Sequence, residues 1–201
     1  MHFFVIGATG RTGTHVVDIA LARGHQVTAL VRDKFPRAHE RLRVTKGNPL
    51  DVDSLAGALP GHDVVVSALG PRTGLFEKST VVRDGAAATV AAMTRAGASR
   101  LLFVSALTCF DLPFPMSVAK LFLRNPMQDT IAAETVIAAS SLSWTFARPP
   151  SLKEGANETY RAVVDAPVPG GWSMTFRAVA AYLVDEAERS EHALKIVGLA
   201  S

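Results

Sequence analysis

The fold is decided by one stretch near the start of the chain, Phe3-Phe4-Val5-Ile6-Gly7-Ala8-Thr9-Gly10-Arg11-Thr12-Gly13. Its first four residues are apolar and predict a short buried strand that ends at the first glycine. Residues 11–23 then predict a helix with one apolar side, which Gly24 ends. Because strand, glycine-rich turn and helix follow one another directly, the stretch indicates a phosphate-binding loop rather than a turn without a ligand.

Each glycine of this loop has its own expected role. We expect Gly7 to allow the tight turn, Gly10 to let the backbone approach a pyrophosphate, and Gly13 to let the helix pack closely on the sheet. The N–H groups at the start of the helix would then face the phosphates, aided by the helix dipole. The spacing is G-x-x-G-x-x-G rather than the G-x-G-x-x-G of many dehydrogenases.

Strand-like and helix-like segments alternate along the rest of the chain. Further strands are predicted at 26–31, 42–45, 63–68, 101–105, 143–148 and 194–199. Further helices are predicted at about 53–59, 81–96, 128–139 and 177–189. Helical sequence also occurs near Met116, and Pro126 is predicted to separate it from the helix at 128–139.

Nearly continuous apolar strands separated by helices indicate a parallel sheet covered on both faces. We therefore predict one α/β domain, residues 1–201, with a Rossmann-type doubly wound sheet. The Gly/Pro-rich segment 152–174 is predicted to form a small C-terminal lobe on the substrate side.

Composition narrows the class of protein. The 201 residues carry a formal net charge of +3, and their basic residues form no concentrated run of the kind that nucleic-acid-binding proteins show. The single cysteine, Cys109, cannot form an internal disulfide, which suits a reducing compartment. No leader sequence and no apolar run of about 20 residues is evident. We therefore expect a cytoplasmic protein with no nucleic-acid or membrane partner, as a monomer or weak homo-oligomer.

The end of the second predicted strand bears on the choice of cofactor. Arg32 and Asp33 follow the loop at about the 20-residue spacing where the adenosine ribose is read. A guanidinium favours the 2′-phosphate of NADP, whereas an acid favours the 2′-hydroxyl of NAD. Lys34 and Arg37 add positive charge nearby. We therefore expect NADP(H) to be preferred over NAD(H), with Asp33 as the feature that argues against this preference.

The fourth predicted strand leads into Ala68-Leu69-Gly70-Pro71-Arg72. Ligands of open parallel sheets lie beyond the carboxyl ends of the strands. We therefore expect Gly70 to lie under the cofactor. Arg72 is predicted either to contact a phosphate or to remain a surface arginine.

Five motifs follow one another along the chain: Gly-Ala-Thr-Gly-x-Thr-Gly, Leu-Val-Arg-Asp, Ala-Leu-Gly-x-Arg, Val-Ser-Ala and Arg-Pro-Pro. Together they resemble the atypical short-chain dehydrogenase/reductases of the NmrA-like superfamily, in particular the NAD(P)H-binding group that includes biliverdin reductase B, also called flavin reductase. The resemblance implies an NADPH-dependent reductase of a flavin or a similar flat, conjugated small molecule, with Ser105 near the nicotinamide. This chain departs from it at Ser151, where the related reductase has a histidine. The predicted cofactor-binding residues are Gly7, Thr9, Gly10, Arg11, Thr12, Gly13, Arg32, Asp33, Ala68, Leu69, Gly70, Arg72, Pro149 and Pro150.

Most short-chain dehydrogenases use a tyrosine as acid/base with a lysine four residues later. The only tyrosines here, Tyr160 and Tyr182, are followed at that distance by Val164 and Glu186. The dyad is therefore absent. Its absence suits hydride transfer to a large conjugated acceptor, because bulk water can supply the proton. Ser105 remains as the predicted catalytic residue, with a strand-end serine bonded to local backbone as the alternative.

Three functions stay open at this stage. The first is the reductase; the second is a non-catalytic NADP(H)-binding sensor of the NmrA type. The third is a sugar-nucleotide epimerase or isoflavone-type reductase with an unusual acid. No metal site is predicted, because the six histidines have no metal-ligand spacing. Trp172 is predicted to lie at the rim of the substrate pocket.

Overall fold

The structure is a computed structural model that describes residues 1–70, 79–110 and 124–201. Its strands are β1 (His2–Ile6), β2 (Gln26–Val31), β3 (Leu42–Lys46), β4 (Val64–Ser67), β5 (Arg100–Val104), β6 (Ser143–Arg148), β7 (Ser151–Lys153), β8 (Arg161–Val164), β9 (Ser173–Thr175) and β10 (Lys195–Ala200). Its helices are α1 (Arg11–Ala22), α2 (Val52–Ala58), α3 (Val81–Ala96), α4 (Arg124–Ala138) and α5 (Phe176–Arg189), with a 3₁₀ turn at Leu107–Cys109.

Eight of the strands form one sheet in the order β3-β2-β1-β4-β5-β6-β10-β8. Strand β1 is parallel to both of its neighbours, with Phe3 opposite Val27 on β2 and Val64 on β4. The chain runs outward from β1 in one direction through β2 and β3, and in the other through β4 to β6. The order of the strands therefore reverses between β1 and β4, which is where ligands bind in open α/β sheets.

The side chains of β1 alternate between two buried layers. Phe3 and Val5 pack with residues of α1 and α5, whereas Phe4 and Ile6 pack with residues of α2, α3 and α4. A period of two along an entirely apolar strand means that both faces of the sheet are covered. This arrangement confirms the predicted α/β class and the doubly wound parallel sheet.

The segment after β6 differs from the prediction. Residues 161–164 belong to the main sheet rather than to the predicted lobe, because β8 pairs antiparallel with β10, with Val164 opposite Val197. The short strands β7 and β9 pair with each other in a separate two-stranded sheet. The sheet is therefore parallel except at this edge, where residues 161–164 are mostly exposed.

Pro126 was expected to separate two helices but lies within the first turn of α4. A proline fits there because the first N–H groups of a helix have no acceptor within the helix. The helical sequence predicted near Met116 lies outside the described residues. None of the helices in the described ranges combines the length and the apolar character that a membrane span requires.

Candidate functional site

The turn from β1 into α1 depends on two glycines. Gly7 has a φ of +77°, and a Cβ on it would lie 2.6 Å from the carbonyl oxygen of Ala68. A Cβ on Gly13 would lie 2.2 Å from the carbonyl oxygen of Gly7. The first turn of α1 therefore lies directly against the loop, and the loop lies directly against the end of β4. These contacts agree with the turn and close-packing roles expected of these two glycines.

The start of α1 is open to a ligand. Gly10 is the N-cap residue, no side chain caps the helix, and its first turn carries no acidic residue. The N–H of Gly10 donates to the carbonyl of Gly7 at 2.8 Å, and the N–H of Thr14 donates to the carbonyl of Gly10 at 2.9 Å. The N–H groups of residues 11–13 have no acceptor within the helix, so they can bind an anion, which the helix dipole also favours.

A cavity of about 760 Å³ opens at this end of the sheet. Most of its lining comes from the segments that follow the carboxyl ends of β1 to β6, and it spans the point where the strand order reverses. A volume of this size is in the range that cofactors and substrates occupy. The predicted residues that line it are Gly7, Thr9, Gly10, Arg11, Thr12, Arg32, Ala68, Leu69, Gly70, Ser105, Pro149 and Pro150.

Three of the predicted residues do not line the cavity. Gly13 lies behind the loop, and Asp33, one residue beyond the lining residue Arg32, is exposed outside the cavity. Arg72 lies outside the described residues. The expectation for Trp172 is wrong: its side chain is 65% exposed and does not line the cavity. It follows Gly171, where a Cβ would lie 2.3 Å from that of Ala200 on β10.

The charge in the cavity is positive. Arg11 and Arg32 are the only ionisable groups among the described residues that line it. Neither forms an ion pair with another residue in the described ranges, whereas Arg37 is paired with Asp18 on α1. Of the three basic residues noted after β2, Arg32 is the one that lines the cavity, so it is the one placed to bind an anionic ligand there.

Ser105 lies at the inner part of the cavity, directly after β5. Its N–H donates to the carbonyl of Ala147 at 2.8 Å, which ties the residue to β6. Its hydroxyl donates weakly to Sγ of Cys109 at 3.6 Å. Burial is the main cause of a raised pKa at the Cys109 thiol, so this thiol stays protonated and unreactive at neutral pH.

Neither tyrosine lies at the cavity. The hydroxyl of Tyr160 donates to Asp185 at 2.5 Å, and the Tyr182 ring is 2% exposed on α5. Burial raises the pKa of both phenols, and neighbouring carboxylates raise them further. A catalytic tyrosine needs a lowered pKa, so both have the opposite of the required environment.

A buried ion pair supports the inner wall. Arg148, the last residue of β6, binds Glu134 of α4 through Nε–Oε1 at 3.0 Å and Nη2–Oε2 at 2.6 Å. Its guanidinium also lies 4.4 Å from the centre of the Phe110 ring. The pair therefore joins α4 and the segment after β5 to the start of the Pro149-Pro150 segment.

Some lining residues were not predicted. The turn Gly47-Asn48-Pro49 follows β3, and Met127 and Thr130 lie on α4. The turn could have been found, because the carboxyl end of β3 lies on the same edge of the sheet as those of β1 and β2. Phe176 at the start of α5 also lines the cavity, and no local motif marks it or α4, because tertiary packing brings them there.

This fold and this site define a class: an α/β protein with a doubly wound sheet and a ligand cavity at the switch point of that sheet. A model of the NAD(P)H-binding family matches residues 7–190. The chain belongs to that family.

Individual relatives agree with this assignment. A 3-diazoavenalumate denitrifying reductase from Streptomyces is 31% identical over 209 residues, which cover 99% of this chain and 54% of that protein. The chain thus spans about half the length of that relative. A solved structure of a protein from Burkholderia pseudomallei, described as exported, has a TM-score of 0.80 at 26% identity and covers 100% of both chains. ChuY, an anaerobillin reductase from Escherichia coli O157:H7, is similar in fold, with a TM-score of 0.80 at 22% identity over 100% of this chain and 97% of that one.

Proposed function

We propose that this protein is an NADPH-dependent reductase that passes a hydride to a flavin or a similar flat, conjugated small molecule. One observation carries the proposal. The cavity joins an uncapped phosphate-binding helix to an apolar inner part, and its described lining has no ionisable group besides Arg11 and Arg32.

The residues present fit the cofactor. A Cβ at Gly7 or Gly13 would clash with neighbouring backbone, so only glycine allows the tight turn that brings Gly10 and the start of α1 to the cavity. The N–H groups at the start of α1 would hold the pyrophosphate. Arg32 would hold the 2′-phosphate, because its planar guanidinium can bind two phosphate oxygens at once.

The inner part of the cavity suits a flat acceptor. Leu69, Leu107, Met127 and Leu152 supply apolar surface there. Bound NADPH supplies the hydride. The chain's own residues orient the acceptor and exclude most water, and Ser105 offers one hydroxyl for a hydrogen bond. Because no described lining residue is a suitable proton donor, the proton comes from water. An acceptor that spreads the added charge over a conjugated ring system can take its proton from water, whereas reduction of a simple ketone needs a positioned proton donor.

The relatives support a reductase in a limited way. The Streptomyces relative and ChuY are both named as reductases, although the first is matched over about half its length and the second is similar in fold alone.

The test is NADPH oxidation with FMN as acceptor, followed by the loss of NADPH absorbance, with NADH measured in parallel. We expect turnover that prefers NADPH. Arg32→Ala should lower kcat/KM for NADPH by roughly 10- to 100-fold, because it removes a charge-assisted contact to the 2′-phosphate. The same change should alter kcat/KM for NADH little.

Lys34→Ala is the matched control. Lys34 is an exposed cation two residues away that does not line the cavity, so its loss tests the general effect of charge. Equal losses in the two variants would contradict the role of Arg32. NADPH binding without turnover on FMN or other conjugated acceptors would contradict the reductase and favour the non-catalytic NADP(H) sensor.

A further inference from the structure

Arg11 and Phe176 meet across the mouth of the cavity. Arg11 is the first residue of α1, and Phe176 is the first residue of α5, so the contact joins two helices far apart in the chain. The guanidinium carbon of Arg11 lies 4.3 Å from the centre of the Phe176 ring, which is a cation–π contact. Both residues line the cavity.

The ring of Phe176 is well fixed. The residue is 6% exposed, and it follows Thr175, which caps α5 by accepting a hydrogen bond from the N–H of Ala178 at 2.9 Å. The hydroxyl of Thr175 also donates to the carbonyl of Asn157 at 2.5 Å. Arg11, in contrast, is exposed, and its side chain forms no hydrogen bond or ion pair with another residue in the described ranges. The Phe176 ring is therefore the contact that orients its long, flexible side chain.

A cation–π contact leaves the N–H donors of the guanidinium free to bind an anion. A ring interacts with the flat face of the guanidinium, whereas the N–H donors point outward in its plane. An aspartate or glutamate in the same place would bind those donors and cancel the charge. Phe176 therefore orients Arg11 without competing with an anion for it.

We propose that Phe176 is a positioning residue that holds Arg11 ready to bind the phosphates of the dinucleotide. The proposal rests on the proposed function, because it takes the cofactor site as given. It also explains why the first residue of α5, which belongs to the far end of the sequence, forms part of the phosphate end of the cavity. The contact with Phe176 already restricts the Arg11 side chain in the free protein. Arg11 therefore loses less conformational entropy when it binds the phosphates.

The test is calorimetric titration of the protein with NADP⁺ in the absence of any acceptor, so it needs no activity. We expect Phe176→Leu to raise the Kd for NADP⁺ by roughly three- to tenfold. Phe176→Tyr keeps the ring face and should stay within about twofold of the wild type. Arg11→Ala should raise the Kd at least as much as Phe176→Leu. In the Arg11→Ala background, Phe176→Leu should have no further effect.

Trp172→Leu is the control, because it removes an exposed aromatic ring that does not line the cavity. Its Kd for NADP⁺ should equal that of the wild type. A wild-type Kd in Phe176→Leu would overturn the proposal alone. Losses that multiply in the double variant would also overturn it, because they would assign Phe176 a purely structural role. Failure of the wild type to bind NADP⁺ at all would overturn both this proposal and the proposed function.

Discussion

Gly13 has the least room of the three glycines in the phosphate-binding loop. A Cβ there would lie 2.2 Å from the carbonyl oxygen of Gly7 and 2.8 Å from its carbonyl carbon, and backbone atoms cannot turn aside as a side chain can. We expect Gly13→Ala to lower the free energy of unfolding by about 1–3 kcal/mol, because the helix must move off the loop. Cofactor affinity should fall as well. Urea unfolding and NADP⁺ titration measure the two effects.

Gly57→Ala is the control for this variant. Gly57 lies within α2, and a Cβ on it would meet no atom within 4 Å. Alanine is favoured over glycine within a helix by about 0.5–1 kcal/mol, so this variant should be slightly more stable than the wild type. Equal stability of the two alanine variants would contradict the close contact between loop and helix.

Local sequence was enough to predict many residues of the site, but not all. The loop glycines and Arg32 could be predicted because each stands at a fixed distance from a strand that the sequence marks clearly. Phe176 could not, because it reaches the cavity only when α5 packs beside α1, far away in the sequence. The sequence predicts Asp33 as a residue that could bind a ribose 2′-hydroxyl, but its position next to Arg32 does not bring it to the cavity, because neighbours at the end of a strand point in different directions.

At the scale of elements, α4 and β6 are joined by one buried charge pair. The Arg148 and Glu134 side chains are 9% and 8% exposed. We expect Glu134→Ala to lower the free energy of unfolding by about 3–5 kcal/mol, because a buried guanidinium would lose its only carboxylate partner among the described residues. The midpoint of urea unfolding reports the loss.

Replacing both partners separates the cost of an unpaired charge from the cost of lost packing. The double variant Glu134→Leu/Arg148→Met should be more stable than Glu134→Ala, because no charge is left buried. If Glu134→Ala is more stable than the double variant, Arg148 is solvated once its partner is removed, and the cavity wall does not depend on the ion pair.

Elements were predicted best where the hydrophobic pattern is strong. Strands β2 and β6 and helix α3 have the bounds expected from the sequence. The segment that contains β8 gave no such signal, because an edge strand buries little and its residues are mostly exposed. Pro126 does not break the helix as the sequence predicts, because a proline is tolerated in the first turn.

At the scale of the whole molecule, acid should weaken the fold through His62. Its Nδ1–H donates to the carbonyl of Leu59 at 2.8 Å, and Nε2 lies 2.8 Å from Oγ1 of Thr28. Burial is the main cause of a lowered pKa at His62, and the nearby charges of His2 and Arg43 lower it further. The unfolded chain therefore binds a proton at a higher pH than the folded one does.

The sign of the pH dependence follows. Stability from neutral His62 is complete above the unfolded pKa of about 6.5 and falls as pH drops from there towards the lower folded pKa, by at most about 1.4 kcal/mol per pH unit. His62→Gln should reduce this slope in urea unfolding measured between neutral and mildly acidic pH. His39→Gln, which removes an exposed histidine, is the control and should keep the wild-type slope. Equal slopes in all three proteins would contradict the role of His62.

The doubly wound sheet could be predicted because the alternation of strands and helices repeats along the sequence. Each buried strand is followed by a helix, and a parallel sheet covered on both faces is the arrangement that buries them all. The order of strands beyond β6 was not predictable in this way. Strand β10 joins the sheet beside β6, and β8 then pairs with β10 from the outer side.

Strand β8 emerges from the ribosome before β10, its only neighbour in the described sheet. Strands β1 to β6 can assemble in sequence as the chain is made, because each joins a strand already present. The nascent chain must then hold β8 unpaired, with the edge of β6 uncovered, until β10 and the helix before it have been synthesised. The sheet therefore cannot be completed until β10 has left the ribosome, and a pause in translation between β8 and β10 would prolong the state in which two strand edges are exposed to aggregation or to a chaperone.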